Sequence, residues 1–349
     1  MAGGQRKAEV TVLGAGVFGL SIAWACQCRG AQVRVIDPGG VGAGSSGGIV
    51  GALAPHVPEN WNDKKAFQLE SLLMAEAFWA EVESASDISP GYARSGRVQP
   101  VLDAKALDLA YQRADTARTL WLGQAVWQVT QDPPGPLRAV TPTGYYIHDT
   151  LSGRIHPRRA CESLALAIKA KGGEVVREGQ QTGMVVHATG TTGLSELSAH
   201  LGKPVGNGVK GQAALLDFAM PDAPQLFVDG LHIVPHSDGT TAIGSTSERN
   251  YDQAETTDEQ LDAIIEKARA VLPELEKARV LERWAAARPR SKSRAPMLGP
   301  HPIYKDAFIA NGGFKIGFGM APKIGHVMAD LVLEGRDTVP EPFKPDASL

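Results

Sequence analysis

The chain has 349 residues, of which 43% are hydrophobic, and a formal net charge of −3. This charge argues against a nucleic-acid partner, which needs a strong basic excess on the protein. No apolar run approaches the ~20 residues of a membrane span, residues 1–9 lack the apolar core of a signal peptide, and the three cysteines give no disulfide framework. We therefore expect a cytoplasmic protein without a membrane span.

The first structural signal is a strand–turn–helix unit near the start of the chain. Residues 10–13 are an apolar run typical of a strand, and 20–28 are predicted as the helix that follows. Between them stand three glycines with G-x-G-x-x-G spacing: Gly14, Gly16 and Gly19. Such glycines allow a tight turn, close approach of a pyrophosphate to backbone N–H groups, and close packing of helix on strand. Asp37 ends the next predicted strand, where a carboxylate accepts hydrogen bonds from a ribose. The unit predicts a dinucleotide site.

The remaining elements follow in chain order from periodicity and turn residues. Helices are predicted over 65–84, 104–123, 156–171, 258–271 and 324–334, with Thr257 as the N-cap of the fourth. Strands are predicted over 97–102, 145–147, 172–176, 184–190 and 307–310, with hairpin-like strands between 208 and 246 and a glycine-rich loop over 311–319. Nucleotide-type units at both ends, with strand-rich material between them, predict domains that are interleaved along the chain.

Five segments in order carry a family resemblance: 42–55, 185–190, 231–236, 283–299 and 311–322. They resemble the D-amino-acid-oxidase superfamily of FAD-dependent oxidoreductases, especially its glycine-oxidase-like members. The resemblance implies an α/β fold in which a Rossmann-type FAD-binding domain is interleaved with a largely antiparallel β substrate domain of α+β character. We expect the FAD-binding domain at 1–60, 145–205 and 285–349, and the substrate domain at 61–144 and 206–284.

The cofactor implied is noncovalent FAD, since no histidine falls within 45–50 and no cysteine lies in the C-terminal half. The small residues of 42–48 allow backbone to lie against a flavin ring. The glycine-rich turn before the last helix can aim backbone donors at the flavin pyrimidine. Between Val176 and Met184 the chain is shorter than the family's usual hairpin, which predicts weaker FAD binding. The predicted cofactor residues are Gly14, Gly16, Val17, Phe18, Gly19, Asp37, Pro38, Gly44, Ser45, Ser46, Gly51, Leu53, Ala188, Thr189, Gly190, Arg288, Gly313, Phe314, Lys315, Ile316 and Gly317.

Three residues are predicted to bind the substrate: Arg288, His232 and Lys315. A guanidinium at Arg288 pairs bidentately with a carboxylate, although the basic run 288–294 is also typical of a solvated face. His232 stands where the glycine-oxidase-like group typically has a tyrosine, and a histidine on a sheet is more often structural. Lys315 replaces a second arginine, and a solvent-facing loop lysine is equally consistent. These departures put glycine in doubt as the substrate.

The resemblance implies hydride transfer to flavin N5 from the carbon next to a neutral amine, followed by hydrolysis of the imine. The flavin carries the chemistry, so no catalytic side chain is predicted. The partners expected are an amine or amino acid, and oxygen or another electron acceptor; a homo-oligomer is possible. Two alternatives stay open: a tRNA-modification oxidase on the same scaffold, and a flavin-binding protein without amine turnover. An imidazole at His232 is either neutral or charged near its usual pKa of ~6.5, which predicts a pH-sensitive pocket.

Overall fold

The computed structural model describes residues 9–349. The helices in this part of the chain are α1 Val17–Cys28, α2 Asp63–Ser86, α3 Ala104–Leu120, α4 Pro157–Ala170, α5 Gly190–Leu201, α6 Glu259–Val271 and α7 Gly317–Glu334. The strands are β1 Glu9–Leu13, β2 Gln32–Ile36, β3 Ala52–Leu53, β4 Arg97–Pro100, β5 Trp127–Thr130, β6 Tyr146–Asp149, β7 Gly153–Arg154, β8 Glu174–Val176, β9 Met184–His187, β10 Gly206–Asp217, β11 Gln225–Val228, β12 Leu231–Pro235, β13 Thr241–Gly244, β14 Arg279–Ser291, β15 Met297–Pro300 and β16 Ala307–Asn311. None of these helices has the length and apolar character needed to cross a membrane.

Six strands form a mostly parallel sheet in the order β15–β16–β9–β1–β2–β8. Strand β1 pairs in parallel with both β9 and β2, and antiparallel β15 lies at one edge. Parallel neighbours need crossover connections, and α1 supplies the one between β1 and β2. This helix packs on α4 and α7 and is buried from Val17 to Cys26. Gly325 permits the close approach of α7, since a Cβ there would lie 2.7 Å from the Ser21 carbonyl oxygen.

Eight strands form a second sheet in the order β14–β10–β13–β12–β11–β4–β6–β5. Every neighbouring pair is antiparallel except β11 with β4. Because side chains alternate across a strand, Leu231 and Ile233 of β12 enter a hydrophobic core with Leu261 and Ile265 of α6. His232, between the first two, faces the other side of the sheet. The fold therefore presents one face of this sheet to a core and the opposite face to a cavity.

The distribution of strands bears on the proposed domain division. The six-stranded sheet draws its strands from three separate parts of the chain, as an interleaved arrangement requires. Strand β6, which falls within the 145–205 segment, pairs with β4 and β5 of the larger sheet. Strand β14 continues without interruption across the boundary at 284/285. The α/β class agrees with the prediction, and the exact division stays a proposal.

Two local expectations were wrong, and one helix was missed. Helix α7 begins at Gly317 rather than at Ile324 and continues through Pro322. Helix α6 has Asp258 as its N-cap rather than Thr257: the Asp258 carboxylate accepts a hydrogen bond from the Gln260 N–H at 3.0 Å. Helix α5 was not predicted. Strongly buried or weakly periodic helices give little sequence signal, so their ends depend on tertiary packing.

Candidate cofactor and substrate site

One cavity of about 910 Å³ is lined by residues of both sheets. With one exception, the residues predicted to bind the cofactor all line it. The exception is Gly19, which lies one turn into α1 and packs on β1: a Cβ there would overlap the Gly14 carbonyl oxygen and approach Val12. Its function is close helix–strand packing. The three predicted substrate residues line the same cavity.

The glycine turn between β1 and α1 shapes the first end of this cavity. Gly14 has φ +109°, and a Cβ there would overlap the Ala188 carbonyl oxygen. Gly16 is the N-cap of α1 and supplies no side-chain cap, so the backbone N–H groups that follow Val17 in the first helical turn are available to an anion. A Cβ on Gly16 would lie 3.2 Å from Ser46 Oγ, which accepts a hydrogen bond from the Val17 N–H at 3.0 Å. This cradle fits a pyrophosphate.

Asp37 lies beside the glycine turn, at the end of β2. Its Oδ2 accepts a hydrogen bond from the Ala15 N–H at 2.8 Å, and its Oδ1 accepts one from the Gly39 N–H at 2.9 Å. A carboxylate has about four lone-pair sites, so both oxygens keep capacity for ribose hydroxyls. The backbone holds the carboxylate in a fixed orientation. This arrangement, with the glycine cradle, fits the nucleotide part of FAD.

The N-terminus of α7 lies at another part of the cavity. Residues 313–319 line it, and the N-cap Ile316 provides no side-chain cap. The positive end of the helix dipole and unpaired N–H groups are therefore available to a group that gains negative charge. Gly313 has no room for a side chain, because a Cβ would lie 2.7 Å from the Phe18 ring. The tight backbone fits a flat ring system.

Arg288 of β14 is the central cation of the substrate end. Its Nη1 donates to Ser245 Oγ at 2.8 Å and its Nη2 donates to the Thr246 carbonyl oxygen at 2.7 Å. Its Nε is buried and has no hydrogen-bond partner among residues 9–349. Gly211 leaves the room for this side chain, since a Cβ there would overlap the guanidinium. Burial lowers the pKa of Arg288 to about 10, and the Glu248 carboxylate opposes the shift, so the side chain is charged at neutral pH.

His232 and Phe227 lie opposite each other on β12 and β11, with ring centroids 4.6 Å apart. Burial, followed by the positive charges of Arg97, Lys315 and Arg288, lowers the pKa of His232 to about 3. The imidazole is therefore neutral at pH 7, and the expectation of a ring that titrates near pH 6.5 was wrong. Its Nδ1 is buried without a hydrogen-bond partner in the described chain.

Lys315 has an exposed side chain in the turn before α7. Its Nζ lies 5.8 Å from the centre of the Phe314 ring, and the Arg288 guanidinium lies 5.6 Å from the same ring. Partial burial, together with the charge of Arg288, lowers the pKa of Lys315. Lys315 lies on the cavity wall and is also exposed to solvent, so its contact with a substrate stays a proposal.

Sequence reasoning missed Arg97, which also lines the cavity. Its Nε lies 2.9 Å from Asp149 Oδ2, both side chains are almost fully buried, and its guanidinium lies 5.6 Å from the Phe227 ring centre. No local motif marks Arg97, and the sequence indicated only that it lies on a predicted strand. Arg97 reaches the cavity because β4 pairs with β11, a strand far along the chain. A local sequence pattern does not contain that pairing.

A mostly parallel sheet with a glycine cradle, sharing one cavity with an antiparallel sheet, defines a class of dinucleotide-dependent oxidoreductases. The family model of FAD dependent oxidoreductases, DAO, matches residues 9–331, and the chain belongs to this family. It is an FAD-dependent oxidoreductase, as the sequence predicted.

Relatives extend over nearly the whole chain. The chain is 28% identical to a glycine oxidase of Pseudomonas putida, over 98% of this chain and 99% of that protein. It is 23% identical to a glycine oxidase of Geobacillus kaustophilus, over 95% and 94% of the two chains. The solved structure of glycine oxidase from Geobacillus kaustophilus matches with a TM-score of 0.81 at 21% identity, over 97% of this chain and 98% of that one. The structure of an iminodiacetate oxidase from Chelativorans sp. matches with a TM-score of 0.79 at 21% identity, over 96% and 98%. At these identities the structures support the fold.

Proposed function

We propose that this chain oxidises the C–N bond of an amine or amino acid, with noncovalent FAD as its cofactor. The observation that carries the proposal is Arg288: a charged guanidinium on the wall of the cavity that has no carboxylate partner among residues 9–349. A substrate carboxylate can pair with it and so fix the neighbouring carbon. Bound FAD supplies the hydride acceptor, N5 of the flavin.

The charges of the substrate end also act on the amine. Arg288 and Lys315, which have no direct carboxylate partner in the described chain, lie near His232, and until a carboxylate binds them their positive charges disfavour an ammonium ion. They therefore favour the unprotonated amine, whose adjacent carbon can give up a hydride. His232 lines the same cavity, and because its ring is neutral it adds no charge beside that amine. No side-chain base is needed if the amine binds in this form.

Noncovalent attachment is supported by the lining of the cavity. Over the described residues, the lining includes no cysteine, and its one histidine is His232. Cys161 lies near the Ser46 carbonyl oxygen outside the lining, and burial raises the pKa of its thiol to about 12. The three cysteines are free, which is consistent with the cytoplasmic location that we propose. Oxygen or another acceptor would reoxidise the flavin, and a homo-oligomer stays a prediction.

The proposal is tested by product analysis. FAD-loaded protein is incubated with amines and with both enantiomers of amino acids, under air and with an artificial electron acceptor. We expect a carbonyl product and ammonia or an amine in equal amounts, since the imine hydrolyses in water. Acid precipitation should leave FAD in the supernatant. Absence of carbonyl product from every compound, with both acceptors, would favour the flavin-binding protein without amine turnover.

One observation favours the tRNA-modification alternative. A second cavity, of about 240 Å³, has four cations on its wall and no carboxylate among its described lining residues, which are Asn207, Arg249, Arg290, Ser291, Lys292 and Arg294. Such a cleft could contact phosphates. The net charge of −3 argues against it. Retention of tRNA that decreases steeply with salt would support this alternative, and no retention at low salt would exclude it.

A further inference from the structure

The substrate end of the cavity holds more positive charge than one carboxylate balances. Three cations line it: Arg97, Arg288 and Lys315. Arg97 is compensated by its buried ion pair with Asp149. Within 9–349, neither Arg288 nor Lys315 has a carboxylate within ion-pair distance. His232 adds no charge, because its ring is neutral. Two positive charges therefore have no direct ion-pair partner in the described chain; Glu248 acts on Arg288 from beyond ion-pair distance and is itself paired with Lys210.

The carboxylates on the cavity wall do not supply the missing negative charge. Over the described part of the chain, two of them line the cavity: Asp37 and Glu255. Asp37 lies in the nucleotide cradle, where the N–H groups of Ala15 and Gly39 hold it. Glu255 is exposed and is not among the charges that shift the pKa of Arg288 or Lys315. The excess charge stays at the substrate end.

The two uncompensated cations occupy different depths. Arg288 is half-buried and anchored to Ser245 and Thr246. Lys315 is exposed, and its ammonium group makes no hydrogen bond to the rest of the described chain. Both lie within 6 Å of the Phe314 ring centre. One carboxylate at Arg288 leaves the three donors of Lys315 free.

We infer that the substrate is a dianionic amine, an amino acid or secondary amine with two carboxylates, and that Lys315 binds the second carboxylate. Arg288 holds the carboxylate next to the reacting carbon, and Lys315 acts as a specificity-determining residue at the rim. A lysine suits this position because its compact charge and flexible stem accept carboxylates at a range of distances. This inference rests on the proposed function and names its substrate class.

The first test measures binding without turnover. FAD-loaded protein is titrated with succinate and with succinamate, which has nearly the same size and one charge fewer, and binding is followed by the absorbance of the oxidised flavin. We expect succinate to bind about 10-fold more tightly or better. Lys315→Gln should abolish this preference and Lys315→Arg should retain most of it. Lys305→Gln, at an exposed lysine outside the cavity, is the matched control and should keep the preference. FAD content is measured for each variant.

The second test compares turnover on isosteric pairs: aspartate with asparagine and glutamate with glutamine, each as both enantiomers. We expect kcat/KM of the natural protein to favour one diacid over its amide by about 10-fold or more. Equal kcat/KM for each diacid and its amide, or equal affinity for succinate and succinamate, would overturn the inference. Oxidation of any amino acid would still support the proposed function. A preference that survives in Lys315→Gln would overturn the assignment to Lys315. If no amine reduces the flavin, the proposed function itself fails.

Discussion

At the scale of single residues, Arg288 illustrates how the fold prepares a cation for a carboxylate. Two of its nitrogens are anchored by Ser245 and Thr246, and Gly211 leaves space for the guanidinium. Anchoring lowers the entropy lost when a ligand binds, because the side chain is already ordered. Nη1 keeps a second N–H beyond the one that bonds Ser245, whereas Nε is buried without a partner in the described chain. The interaction with substrate therefore depends on the planar shape of arginine as well as its charge.

Arg288→Lys should lower kcat/KM by about 10- to 100-fold, since one of two charge-assisted hydrogen bonds, each of roughly 1.5–3 kcal/mol, is lost. The flavin spectrum should be unchanged. Arg283→Lys is the matched control: Arg283 lies on the same strand, exposed, and pairs with Asp262 outside the cavity. Steady-state kinetics on the best substrate make the measurement. An unchanged kcat/KM in Arg288→Lys would show that the residue does not bind substrate.

His232 makes a prediction about stability at acid pH. Its pKa is about 3 in the folded protein and ~6.5 in an unfolded chain. As pH falls between these values, the unfolded state binds a proton that the folded state does not, so the free energy of unfolding decreases. This one group contributes a slope of up to about 1.4 kcal/mol per pH unit. Above pH ~7 both states are neutral and it contributes nothing.

His232→Gln should therefore lose stability less steeply between pH 6 and pH 4, roughly the window set by these two pKa values. Denaturant unfolding at several pH values measures the difference between the natural protein and the variant. His200→Gln, at an exposed histidine outside the cavity, should follow the natural protein. Parallel pH curves for His232→Gln and the natural protein would contradict the account of a buried neutral ring.

At the scale of elements, the β1–α1–β2 unit was predictable and the start of α7 was not. The first unit has a local sequence signal, because a Cβ on Gly14 or Gly19 would overlap a backbone oxygen and a Cβ on Gly16 would lie 3.2 Å from Ser46 Oγ, inside the cradle. Proline lacks an N–H and normally ends a helix. The expected start of α7 therefore fell after Pro322, later than in the structure. Burial of Met320, Ala321 and Ile324 in the largest core stabilises the helix through it. Tertiary packing, which a local pattern does not contain, decided this boundary.

Gly16→Leu tests the function of the glycine turn. The new side chain would enter the cradle within about 3 Å of Ser46 Oγ and exclude a pyrophosphate, so the purified variant should contain little or no FAD. The backbone at Gly16 has φ −81°, which any residue adopts, so the chain should still fold. Far-ultraviolet circular dichroism checks the fold and FAD released by acid gives the cofactor content. Gly30→Asn, in an exposed turn with open space around it, is the control. Full FAD content in Gly16→Leu would contradict the cradle.

At the scale of the whole molecule, the order of motifs predicted the α/β class. Which residues line the substrate end depends on how the strands assemble into sheets, and the sequence did not show all of them. Arg97 and Ser245 are far apart in sequence and carry no motif, yet β4, β11, β12 and β13 lie side by side and bring both to one cavity. The positions of Arg288, His232 and Lys315 were predictable because family resemblance marks them. Their charge states were not, since burial and neighbouring cations set them.

The most direct test of the central claim is anaerobic reduction of the flavin. FAD-loaded protein is mixed without oxygen with amines and with both enantiomers of amino acids, and the visible absorbance of oxidised flavin is recorded. We expect at least one compound with a carboxylate beside its C–N bond to bleach the flavin fully, and admission of an electron acceptor to restore the absorbance. A flavin that dithionite reduces but that no amine or amino acid bleaches would contradict the account.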